Sequence, residues 1–146
     1  MSAQLPSLSK EAFGEFSPSD PPIDAAKLLE QCMGNVALVT MLFDKFETQA
    51  RDDLARLAQA LAARDAGTTA RISHSLKGAA GALTARALHA AAADVELAAR
   101  EDRLDAASQV LHALSSQVDR CLAYLAVART DLERTASNGP ARRGAR

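Results

Sequence analysis

His74 stands in the string Ser73-His74-Ser75-Leu76-Lys77-Gly78-Ala79-Ala80-Gly81, which sets an imidazole, a cation and a bare stretch of backbone side by side. An exposed imidazole titrates near pH ~6.5, so at neutral pH it is mostly uncharged and offers a nucleophilic nitrogen. A lysine one helical turn away can steady an anionic group, and glycine leaves room for a second molecule to come close. That chemistry needs a helix to present it. Ile72, Leu76, Ala79, Ala80 and Leu83 recur at helical spacing and define a buried stripe. His74 lies two positions from Ile72, about 200° around the helix, and so points to solvent. Lys77 and Gly78 follow at i+3 and i+4, Arg71 precedes at i−3, and all three border the imidazole. Gly78, and Gly81 one turn later, each cost the helix on the order of 1 kcal/mol relative to alanine. A helix that gives up that stability beside an exposed histidine is making room for another molecule.

The elements that must position this face all read as helices. Alanine and leucine are frequent and only 3% of residues are aromatic, which favours closely packed helices over sheet. Residues 1–22 read as a flexible tail, ending in Ser17-Pro18-Ser19-Asp20-Pro21-Pro22. Asp24 caps a short helix that ends near Cys32, stopped by Gly34-Asn35. Asn35 caps a long helix to about Arg64, with Val39, Leu42, Phe43, Phe46, Ala50, Leu54, Leu57 and Leu61 facing inward. After the break at Asp65-Ala66-Gly67, Thr68 or Thr69 caps the helix that carries His74. Thr84 caps the next, which runs to about Glu101 with Leu88, Ala91, Ala92 and Val95 inward. The last helix buries Leu104, Leu111, Leu114, Val118, Leu122 and Leu125. From residue 135 a disordered basic tail is expected, with Asn138-Gly139-Pro140 as the stop. Residues 23–134 are therefore expected to form an all-α, antiparallel up-down-up-down four-helix bundle with a short extra N-terminal helix.

A formal charge of −1 gives no electrostatic reason to expect nucleic acid or an anionic membrane as partner. No apolar stretch approaches the roughly 20 residues that span a bilayer, and no secretory leader is evident, so a cytoplasmic location is the expectation. Cys32 and Cys121 have neither metal nor redox spacing and read as buried thiols. Glu-x-x-His pairs of a bundle-core metal site are missing: Arg71, Arg86 and Gln109 stand three residues before His74, His89 and His112. Phe43 and Phe46 read as core, and Arg71 as a solvated side chain with an accessory role as the sharper reading. Ser73 and Ser75 could bond an anion but more often bond their own backbone in a helix. Glu96 and Arg100, at i,i+4, read as support for their own helix.

His74-Ser75-Leu76-Lys77-Gly78-Ala79-Ala80 resembles the signature of histidine-containing phosphotransfer (HPt) domains. Ile23-Asp24 opening a short helix, the Gly34-Asn35 break, Phe43 and Phe46 on a long helix, and Leu83-Thr84-Ala85 extend the resemblance over roughly residues 22–130. Ala82 and Thr84 depart from it, standing where the family often has a polar residue and a glycine. The resemblance implies that His74 carries a phosphoryl group between aspartates of response-regulator receiver domains, fed by a hybrid sensor kinase. Phosphoryl transfer passes through a loose transition state with charge spread over the equatorial oxygens. Lys77 would stabilise those oxygens, and Gly78 would admit the receiver face. Gly81, Ser75 and Arg71 are accessory candidates. The receiver is expected to bring the Mg²⁺, so no cofactor or metal is required in this chain, and a monomer is expected.

The leading expectation is thus a phosphocarrier of a multistep His–Asp relay, without kinase activity, since nothing resembles a Gly-rich ATP-binding box. The alternative is an HPt-like helical module that binds and sequesters a receiver or other regulator without being phosphorylated.

Overall fold

A computed structural model describes the backbone of residues 21–144 and the side chains of residues 21–134; residues 1–20, which hold most of the expected N-terminal tail, lie outside the described residues. The described residues contain no strand and form α1 (Ala25–Gln31), α2 (Val36–Ala62), α3 (Ala66–Ala82), α4 (Arg86–Arg100) and α5 (Leu104–Gly144). The short connections force successive long helices to run antiparallel. α3 packs most extensively on α4, α4 on α5, and α2 closes the ring by lying against both α3 and α5. The result is the all-α four-helix bundle expected from the sequence, with α1 as the extra N-terminal helix.

The bundle axis is filled by Phe43 and Leu57 from α2, Leu76 from α3, Leu88 from α4 and Leu114 from α5, all buried. Ile23 and Leu28 close one end. Leu42, Leu54, Ala79, Leu111 and Leu122, expected inward, sit half-buried at the rim. Alanine does the remaining work between α3 and α4: Ala80, Ala91, Ala92, Ala98 and Ala99 are buried, and side chains that small let the two backbones approach. That closeness lets a side chain on α4 reach the face of α3.

Three helix starts, those of α1, α2 and α3, share one device. Asp24, Asn35 and Asp65 each accept a hydrogen bond from the backbone N–H three residues on, at 3.0, 3.1 and 3.0 Å. α3 is therefore capped by Asp65, not by Thr68 or Thr69. Those threonines already lie in the first turn, where Thr68 donates its hydroxyl to Asp65 Oδ2 and Thr69 to the Asp65 carbonyl.

Thr84 does not cap α4 either. The N-cap position belongs to Ala85, which has no side chain to offer. Thr84 instead adopts φ +59°, the left-handed conformation for which glycine is the usual choice. The backbone shape is kept, and the hydroxyl donates to the Asp24 carbonyl at 3.0 Å, tying the start of α1 to the α3–α4 turn. Met33, Arg64 and Asp102 take the same conformation at the ends of α1, α2 and α4. In all four turns the next residue's N–H closes a six-residue ring at 2.8 Å, onto Leu29, Ala60, Ala80 or Ala98.

α5 corrects one further expectation. Its backbone is helical to Gly144, so Asn138-Gly139-Pro140 falls inside the helix rather than ending it. Pro140 forfeits one intrahelical bond, while alanines and arginines on either side favour continuation.

Candidate functional site

α3 carries His74 on its outer face, opposite Ile72 and Leu76, which are buried. The imidazole side chain is 63% exposed, but it is not free. Its Nδ1 lies 3.0 Å from Oε2 of Glu96, on α4. Glu96 is itself buried, at 6% exposure, an uncommon location for a carboxylate. Three cationic or donor groups make that burial tolerable. Lys77 brings Nζ to 2.8 Å from Oε1, Arg100 brings Nη2 and Nε to 2.7 and 3.0 Å from Oε2, and His74 completes the set. Burial works against the charge on Glu96, but the bonds from Lys77, Arg100 and His74 outweigh it and hold the carboxyl down at about 2, from 4.5.

An ionised carboxylate can only accept, so Nδ1 must be the nitrogen that carries the ring proton. Nε2 then keeps its lone pair and is the nitrogen left for an incoming electrophile. A buried anion thus fixes the tautomer and the ring orientation of an exposed nucleophile. That is the logic by which a carboxylate orients histidine in nucleophilic sites generally.

The surroundings of the ring are smooth. A Cβ at Gly78 would meet no atom within 4 Å, so this position faces open space. At Gly81 a Cβ would come 3.7 Å from Cδ2 of His89, an ordinary contact across α3 and α4, so internal packing does not demand glycine there. Ser75, exposed, turns toward a groove between α3 and α2 shared with Leu42, Lys45 and Phe46. Ser73 is buried and returns its hydroxyl to the Thr69 carbonyl, the structural option for a serine in a helix. Arg71 is not brought to the imidazole: Nη2 lies 3.4 Å from the Thr68 hydroxyl, toward the start of α3. His89 and His112 are exposed, and no cluster of metal-ligating residues occurs among the described residues.

Of the residues singled out from sequence, the structure therefore gathers His74, Lys77 and Gly78 on one face and leaves Arg71 apart. Glu96 and Arg100 need correction. They do form an i,i+4 pair, but Glu96 also reaches across to α3, because it sits on the inward stripe of α4 with Ala92, Val95 and Ala99. A carboxylate at a stripe position was the available signal.

A family model described as Hpt domain matches residues 41–128, well over half of the chain. The chain belongs to the Hpt domain family. No curated protein and no solved structure matches it. The matched span of this Hpt domain runs from within α2 to within α5 and contains His74, Lys77, Gly78 and Glu96. Histidine phosphotransfer in phosphorelays, with receiver domains as partners, is what an Hpt domain implies; a kinase core is not part of it. No described helix of this Hpt domain is long and apolar enough to cross a membrane.

Proposed function

We propose that this Hpt domain is the carrier of a multistep His–Asp relay, with residues 23–134 as the working unit and His74 as the phosphoacceptor. Nε2 of His74 attacks the phosphorus of a receiver acyl phosphate. The P–O bond to the aspartate breaks with its electron pair on the carboxylate, and a P–N bond forms. A second receiver aspartate reverses the step. The observation that carries this reading is the contact from Glu96 to Nδ1, which leaves Nε2 bare and solvent-facing. Lys77 stands within one turn to meet the phosphoryl oxygens, exchanging its bond to Glu96 for one to phosphate. Gly78 admits the receiver surface.

The approach side for the receiver is the groove between α2 and α3. Met41 and Leu38, exposed at 64% and 39%, stand four residues before Lys45 and Leu42 of that groove along α2. Isolated exposed apolar residues need no explanation, but two that extend the line of a groove shared with Ser75 and Gly78 suit a docked protein. The reading carries with it a cytoplasmic monomer that works beside a hybrid sensor kinase.

Phosphotransfer from a panel of phosphorylated receivers tests it, with wild type compared against His74→Gln. Acid-labile, base-stable label on the wild type alone is the expected result. Label on both proteins would move the acceptor elsewhere. Receiver binding without any label, retained after His74→Ala, would make this chain a sequestering module instead.

A further inference from the structure

We propose that Glu96 does more than orient the ring: its charge keeps the proton on Nδ1 of phosphorylated His74, and so sets the pH range over which the phosphoryl group can leave. This rests on His74 being the acceptor. When Nε2 bonds phosphorus the ring becomes a cation that keeps its Nδ1 proton. On transfer the P–N bond breaks, its electron pair returns to Nε2, a P–O bond forms to the acceptor carboxylate, and neutral imidazole departs. If Nδ1 has lost its proton beforehand, the group that must depart is imidazolate, a far poorer leaving group, and the phosphoryl is stranded. The proton on Nδ1 therefore decides between a labile and an inert carrier.

The geometry makes Glu96 the group that holds it. Oε2 lies 3.0 Å from Nδ1, inside hydrogen-bond distance, and the Glu96 side chain is only 8% exposed, so the carboxylate is held in place beside a ring that is itself 63% exposed. The other charges around the ring oppose proton retention. On α3 these are Lys77, bound to Oε1, and Arg71, turned toward Thr68; on α4 it is Arg100, bound to Oε2. α2 contributes Lys45 and Asp53 only to the groove on the Ser75 side of α3. Remove the carboxylate charge and Lys77 and Arg100 face the ring proton uncompensated, which favours its loss. The phosphoryl dianion can draw Lys77 away but cannot bond Nδ1, since it occupies the other nitrogen. Glu96 is thus a positioning residue whose charge, and not only its shape, matters.

Glutamine at the same position separates the two roles, because its carbonyl can still accept from Nδ1 without a charge. The experiment uses the whole chain phosphorylated with phosphoramidate, a small donor that needs no partner. Label retention is then followed from pH 6 to 10, as transfer to a receiver and as spontaneous hydrolysis. Glu96→Gln should carry label on His74 with the pH at which transfer falls off lowered by about 1 unit or more, so that near pH 9 it transfers roughly tenfold more slowly than wild type. Arg100→Gln, which alters an exposed side chain and frees more of the carboxylate's charge, should move the same limb upward. Circular dichroism on each variant checks that the bundle is intact.

Superimposable pH profiles for wild type and Glu96→Gln, both labelled on His74, would overturn the proposal while leaving the phosphocarrier reading in place. A downward shift in Arg100→Gln would overturn it as well. Label that also forms on His74→Gln would overturn the acceptor assignment, and this inference with it.

Discussion

The carboxylate of Glu96 lies 3.0 Å from Nδ1 of His74, across the interface of α4 and α3 and 22 residues away in sequence. It joins an exposed imidazole to a buried carboxylate. The imidazole cannot rotate freely without breaking a bond to an anion that two cations already hold in place. A surface histidine is ordinarily a mobile group. Here the acceptor nitrogen is aimed by the core.

Lys77→Ala should slow phosphotransfer without unfolding the protein. The side chain is 30% exposed and lies outside the apolar core, so its loss removes a cation from the transition state and one partner from Glu96. A rate loss of roughly tenfold or more corresponds to about 1.4 kcal/mol of transition-state stabilisation. Single-turnover transfer from a phosphorylated receiver, beside a thermal melt, checks both halves. An unchanged rate would remove Lys77 from the mechanism.

Gly78→Leu should separate stability from function. Since a side chain there meets open space, replacing a mid-helix glycine should stabilise α3 by up to about 1 kcal/mol. The same side chain should obstruct the receiver and lower both its affinity and the transfer rate. A higher melting temperature together with weaker binding is the expected signature. Undiminished binding would count against close approach at this position.

The pH dependence of stability should show two limbs. Glu96 titrates at about 2 in the folded protein against 4.5 for an ordinary glutamate, so its contribution is full above about pH 4.5 and is lost as pH falls toward 2. On the alkaline side, burial pushes the Cys121 thiol from 9.0 up to about 12. Burial, helped by Asp131 and Asp24, does the same to the Tyr124 hydroxyl from 10.0. Both ionise more readily in the unfolded chain, so stability should decline above about pH 9. Urea unfolding from pH 2 to 11 should show the plateau between the limbs, and Glu96→Gln should flatten the acid one.

Asp65→Ala should cost about 1 kcal/mol by removing the N-cap of the helix that carries His74. Thr69→Val should cost less, because its hydroxyl only returns to the Asp65 carbonyl within the first turn. Chemical denaturation of the two variants measures the difference. The reverse order would restore a threonine as the cap.

The helices, their inward faces and the outward direction of His74 were legible in the chain because each follows from local periodicity. Phe43 and Leu57, or Leu76 and Leu88, are buried for reasons contained within a few turns of their own helices. Aspartate and asparagine caps at Asp24 and Asn35 were legible in the same way. The α3–α4 turn was less so: Thr84 holds a conformation usually left to glycine because the six-residue ring onto Ala80 and the bond to Asp24 require it, and neither constraint is local to threonine.

What the sequence by itself determined is an amphipathic bundle that presents His74, Lys77 and Gly78 on one face. Only the tertiary structure decided which nitrogen of His74 is bare and where Lys77 and Glu96 point. A helix fixes its own faces, but the meeting of Glu96 with His74 depends on how far α4 slides and turns against α3. The packing of buried alanines sets that register, and no pattern within either helix encodes it.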